Sequence, residues 1–362
     1  MGAGLRGGLL GWAFSVAQPA PAFANGRFPK AQVVLPVPGD ADTLALRATV
    51  GILLSQDGGR SFRWLCEQAL GFEGVYDPPL TLGRGGRIVL GLTDGLRTAS
   101  FDGCTVAHLD DLRGEQVSDL TTGPGGRVFA ITSTQGKPAT LYAEGGARFE
   151  RLASVPAFVF DTVEVAPSRP QRVYVTGYPT EAGAEGEAHF FRSDDGGRTL
   201  RETRPTLAAK GRLFVSAVHP QKPDWVLVRQ LRYDGSAVLL SRDGGKSFEP
   251  VLTLKGALLG FAMAPDGQRV FAGSGDPAEG LYRSRDGGLT WENVQRLPVH
   301  CLAATASTLF VCSMPFGPGS FLLASSPDDG ATVQPLSTFA SVKGAVPCTE
   351  GAAAICAGRW SE

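Results

Sequence analysis

Apolar residues in this chain gather in short runs that alternate with polar ones, and Gly, Pro and Asp cut the runs off. Val163-Glu164-Val165 and Val173-Tyr174-Val175 flank one such break. Gln32–Val37, Thr43–Ala48, Ile52–Ser55 and Phe62–Cys66 follow one another at hairpin spacing. A period of two is the mark of strands, because successive side chains leave a strand on opposite sides. The breaks are turns. The pattern predicts an all-β chain of consecutive antiparallel strands.

One turn repeats. Ser55-Gln56-Asp57-Gly58-Gly59-Arg60-Ser61-Phe62 shares its spacing with segments starting at Ser193, Ser241, Ser284 and Ser326. The common form is Ser-x-Asp-x-Gly-x-Ser/Thr-apolar, carried by Ser55, Asp57 and Gly59; Ser193, Asp195 and Gly197; Ser241, Asp243 and Gly245; Ser284, Asp286, Gly288 and Trp291; and Ser326, Asp328 and Gly330. Eroded copies start at Ser100 and Ala143. The intervals are 45, 43, 50, 48, 43 and 42 residues. Seven copies at that period predict a seven-bladed β-propeller with four-stranded antiparallel blades. The repeat sits at the turn between strands three and four: Asp can accept turn N–H groups and Gly can take a positive φ. A second repeat, Gly123-Pro124-Gly125-Gly126 and Ala264-Pro265-Asp266-Gly267, marks the turn between strands one and two.

These motifs resemble the Asp-box (BNR) repeat propellers, a group that includes sialidases, sortilin-type receptor domains, xyloglucan-degrading hydrolases and photosystem assembly factors. The resemblance spans about residues 31 to 336. It implies the fold and makes the repeated Asp residues structural; it does not select a function, because the turn serves enzymes and binders alike.

Residues 31–68 already supply four strands for the first blade, and the tail Val342–Cys348 and Ala354–Trp360 adds two more. Either residues 342–360 close the ring in place of N-terminal strands, or they form a disulfide-pinned capping hairpin. Both remain open at this stage.

The 48 Gly and 25 Pro exclude a helical bundle. A net charge of -1 leaves no field for nucleic acid, and no span for a membrane is expected beyond the N-terminus. Arg6, then apolar Leu9, Leu10, Trp12, Phe14 and Val16, then Ala22-Phe23-Ala24, read as a signal peptide over residues 1–24, cut before Asn25. The mature domain is then 25–362, exported to a periplasmic or extracellular space. Export suits six cysteines as disulfides. Cys301 and Cys312 lie symmetrically about Ala306-Ser307, and Cys348 and Cys356 flank Thr349-Glu350-Gly351, so each pair is expected to bridge a hairpin, leaving Cys66 with Cys104. No CxxC motif occurs and the four His are scattered, so no metal or other cofactor is expected.

Propeller sites usually lie opposite the repeated turns, in the loops joining strands two and three. Those loops are longest on one half of the ring. They give a candidate binding lip of Tyr178, Glu187, His189, Arg232, Tyr233, Asp276 and Phe316. The expected function is a non-catalytic binding or assembly module for a protein or carbohydrate partner, acting as a monomer. The alternative is a sialidase-like exo-glycoside hydrolase. The Arg-bearing Phe/Tyr-Arg-Ile-Pro segment of a sialidase is missing, and no catalytic residue is assigned. An enzyme should converge Arg residues or a carboxylate pair of shifted pKa at the channel. A binder should show an apolar or aromatic lip.

Overall fold

The computed structural model describes Met1 and residues 29–73, 76–146, 148–184, 186–205, 207, 209–316 and 319–360. Apart from Met1, the expected signal peptide and its cut before Asn25 lie outside the described residues. The chain forms seven consecutive antiparallel sheets, each of four strands in sequence order, with a fifth strand added to the first. Blade one is Ala31–Pro36, Leu44–Ala48, Gly51–Ser55 and Phe62–Cys66. The blade boundaries follow the repeat, and blade seven ends with Gln334–Ser337. The first strand of every blade contacts the first strand of the next, and that of blade seven, Cys301–Ala304, contacts that of blade one, so the ring closes. The protein is a seven-bladed β-propeller.

The apolar residues build seven cores, each filling the wedge between two neighbouring blades. A single strand feeds two of them. In Gly235–Ser241 of blade five, Ala237 and Leu239 enter the core shared with blade four, whereas Val238 and Leu240 enter the core shared with blade six. Both sheet faces are buried, so this strand reads as an unbroken apolar run rather than an alternation.

The repeated turn has one geometry in five blades. In blade five the Ser241 hydroxyl donates to Asp243 Oδ1 at 2.8 Å and accepts the Gly245 N–H at 2.8 Å. Asp243 then accepts the Ser247 N–H at 3.0 Å and its hydroxyl at 2.6 Å. Gly59, Gly197, Gly245, Gly288 and Gly330 all have positive φ. A Cβ on any of them would come within 2.9 Å of an apolar side chain of the preceding blade: Leu323, Leu141, Phe190, Leu227 and Leu281 respectively. The glycine thus permits the bend and sets the close spacing between blades. Blade two keeps a partial version, in which Asp102 accepts the Ser100 hydroxyl and the Cys104 N–H.

The tail takes neither expected backbone form, although two disulfides pin it as the capping alternative expected. Val342–Ala345 joins blade one as a fifth, outer strand, parallel to Phe62–Cys66. It neither replaces an N-terminal strand nor forms a hairpin. Ala354–Trp360 is not a strand: Ala352–Ala354 is a 3-10 turn and Ile355–Arg359 a short helix. Three consecutive Ala residues favour helix and offer no alternation. This overturns two of the expected disulfides. Cys348 bonds Cys104 and Cys356 bonds Cys66, with Cα–Cα distances of 5.3 and 5.4 Å. The helical segment turns the two tail cysteines toward different blades, whereas a hairpin would have faced them together. Cys301–Cys312 is bonded as expected, and the two residues are direct cross-strand partners.

Candidate binding face

The lip residues are spread over blades four to seven. Tyr178, Glu187 and His189 belong to blade four. His189 is buried; its Nδ1 lies 2.5 Å from Glu202 Oε1 and its ring meets Phe158 edge-on at 5.0 Å. Glu187 is exposed and 3.9 Å from the same imidazole. Tyr178 lies beneath the Arg212 guanidinium at 4.6 Å. In blade five, Arg232 turns back to Asp234 at 3.3 Å and Tyr233 is fully exposed at the loop tip. Asp276 closes its own turn, accepting the Ala278 N–H at 2.8 Å. Its neighbour Glu279 accepts the N–H groups of Lys255 and Gly256 and the Ser274 hydroxyl. That loop of blade six is fastened from within.

Phe316 leads to a cavity. Its ring stacks on Phe339 with centroids 6.2 Å apart and planes 11° from parallel. Across the cavity Trp64 and Trp360 meet at 5.8 Å. Trp64 is held in place by donating its indole N–H to the Val50 carbonyl at 2.6 Å. Val50, Leu53 and Val342 complete an apolar lining, with Arg359 at the edge, around about 340 Å³. Phe316 is 53% exposed and Trp360 48%. The cavity lies at the seam where blade seven meets blade one, and Val50 and Phe316 come from loops joining strands two and three. Trp64 sits on the strand that follows a repeated turn, and Trp360 lies in the tail. Aromatic residues at the two ends of the chain carry no local signal that they will meet.

The central channel holds a second group that sequence reasoning missed. The innermost strand of each blade has no further strand to accept its N–H groups. Side chains of the preceding blade accept some of them: Asp119 takes the Val163 N–H at 2.9 Å, Ser133 that of Phe160 at 2.8 Å, and Thr162 that of Val215 at 2.8 Å. Glu164 accepts the Thr121 hydroxyl at 2.9 Å. Burial pushes Asp119 up to about 7, against the pull of its hydrogen bonds and of Arg47. Burial and the neighbouring Asp119 push Glu164 up to about 8. Asp161 is also raised by burial, although it pairs with Arg212. Arg229 stacks on Phe214 at 4.6 Å, and burial lowers its pKa. A raised carboxylate set beside arginines is therefore present, but each carboxylate named here is already hydrogen-bonded or ion-paired to a neighbouring blade. Among the described residues no cluster of three His, Cys, Asp or Glu suited to a metal ion occurs. No described helix is long and apolar enough to cross a membrane.

No family model matches the chain, and no curated protein matches it either. Solved structures do. An ancestral GH74 enzyme superposes with a TM-score of 0.58 at 14% identity, over 84% of this chain and 48% of that one. YCF48 from Cyanidioschyzon merolae gives 0.54 at 14% identity, over 78% and 92%. The β-propeller domain of Cps50 (Swd1) from Myceliophteria thermophila gives 0.54 at 11% identity, over 80% and 94%. The chain spans about half the length of the GH74 enzymes it matches. These likenesses show the propeller fold.

Proposed function

We propose that this chain is an exported, non-catalytic binding module of the Asp-box propeller kind, and that its site is the aromatic cavity at the seam between blades seven and one. The observation that carries this reading is the convergence of Trp64, Trp360, Phe316 and Phe339 on one partly open apolar cavity. An exposed aromatic concavity costs solubility unless something covers it. Its volume suits one or two large side chains of a protein partner, and burying each would contribute about 1.5–3 kcal/mol. The five shared turn geometries support the Asp-box assignment. Three disulfides among the described residues support export.

Peptides selected from a random display library on the mature protein test the site. They should carry aromatic or long aliphatic side chains and bind at least tenfold more weakly to Phe316→Ala and Trp64→Leu. Peptides indifferent to both substitutions, or binders found only on a glycan array, would move the site or the ligand class elsewhere. The hydrolase alternative draws on the raised carboxylates of the channel. Turnover of fluorogenic glycosides that disappears in Glu164→Gln would establish it and remove the non-catalytic reading.

A further inference from the structure

Three of the nine residues lining the seam cavity, Val342, Arg359 and Trp360, belong to the C-terminal tail, a fourth, Phe339, lies just before it, and the ring does not need that tail to close. Blade one has four strands of its own, and the wedge between blades seven and one is filled from within by Leu44, Leu46, Phe310 and Leu323. The tail is an addition, and its backbone attachment is slight. Val342–Ala345 pairs with blade one at only two register positions. The Val346 N–H donates to the Trp64 carbonyl at 2.9 Å, and Arg63 donates to the Lys343 carbonyl at 2.9 Å. The helix Ile355–Arg359, which places Arg359 and leads into Trp360, has five residues. A helix that short does not persist unless it is docked. Two covalent bonds, Cys348 to Cys104 on blade two and Cys356 to Cys66 on blade one, hold the tail together with the burial of Val346 and Ala353 in the core between those blades.

We infer that the seam site is redox-gated: the Cys104–Cys348 and Cys66–Cys356 disulfides assemble it, and their reduction dismantles it while leaving the seven-bladed ring intact. This rests on the cavity being the binding site. The two bonds differ in access. Cys66 and Cys356 are fully buried, whereas Cys104 keeps exposed surface in the imperfect turn of blade two. A dithiol reductant therefore attacks Cys104 Sγ first, expelling the Cys348 thiolate, which takes up a proton. The second thiol of the reductant then displaces Cys104 from the mixed disulfide. Two electrons pass, two cysteine thiols form, and the reductant leaves as its own disulfide. Loss of this anchor unties residues 347–351 from blade two, and the same exchange at Cys66–Cys356 then releases the helix and Trp360.

The test uses the whole mature protein with two readouts. The first is tryptic cleavage after Lys343, followed by mass spectrometry before and after treatment with dithiothreitol. The second is fluorescence titration with 1-anilinonaphthalene-8-sulfonate, in the wild type and in Phe316→Ala, whose substitution lies outside the tail. The expected result is cleavage at least tenfold faster on reduction and dye affinity at least tenfold lower. The far-UV spectrum and a cooperative thermal transition of the ring should both be retained. Cys104→Ser/Cys348→Ser, left oxidised, should show intermediate cleavage. Unchanged cleavage on complete reduction would overturn the gating, as would loss of the ring's transition. If the oxidised protein and Phe316→Ala bind the dye equally, the cavity reading falls instead, and the cleavage rates still decide whether the disulfides hold the tail.

Discussion

Single residues at the two edges of a blade respond to pH in opposite senses. In the repeated turns, hydrogen bonds from Thr199 hold the Asp195 carboxyl down at about 2. Asp243 reaches about 2 as well, because hydrogen bonds from Ser247 and Ser241 outweigh its partial burial. These turns contribute stability above the ordinary carboxylate range, and it fades as the pH falls through about 2. Asp119 and Glu164 act the other way. Their native pKa values, about 7 and about 8, lie above those of the unfolded chain, so the native state keeps protons that the unfolded state has lost. The stability they contribute is complete below the unfolded pKa, and it is lost as pH rises through about 7 and 8. Denaturant midpoints should therefore fall between pH 5 and pH 9, and the fall should flatten in Asp119→Asn/Glu164→Gln. An equal slope in that variant would assign the pH dependence to other groups.

At the scale of the element, much was legible in the sequence and the reasons are local. The four strands of blade one end within a residue or so of where period and turn residues place them, because a strand's period and its bounding turns are written in neighbouring positions. The tail was misread because an alanine run has no partner pattern of its own. The cysteine pairs went wrong with it, since a local symmetry argument holds only if the segment is a hairpin. The aromatic cavity and the channel carboxylates depend on which blade stands next to which, so only the closed ring displays them. One element-level property is testable by substitution. Gly125 and Gly245 both have positive φ, but a Cβ on Gly125 meets open space whereas one on Gly245 meets the ring of Phe190. Gly125→Ala should cost about 1–2 kcal/mol of backbone strain. Gly245→Ala should cost about 2–5 kcal/mol, since forced repacking is added. Equal losses in chemical denaturation would show that the repeated glycine does not set blade spacing.

The whole molecule divides its apolar interior among seven wedges. Substitutions in wedges on opposite sides of the ring share no partners and should add within about 0.5 kcal/mol. Leu90→Ala, in the core between blades one and two, and Leu239→Ala, between blades four and five, form a suitable pair. A much larger coupling between them would mean that the ring transmits packing strain around its circumference.

The Cys66–Cys356 bond has a mechanical consequence. Tension applied between residues 29 and 360 runs along the chain to Cys66, crosses the sulfur bridge, and leaves through the last few residues, bypassing blades two to seven altogether. A single-molecule pulling trace on the oxidised protein should therefore lengthen by only about 140 Å, from about 40 residues at ~3.5 Å each. After reduction the same handles should draw out about 330 residues, or roughly 1,150 Å. Six of the seven blades ride outside the load path.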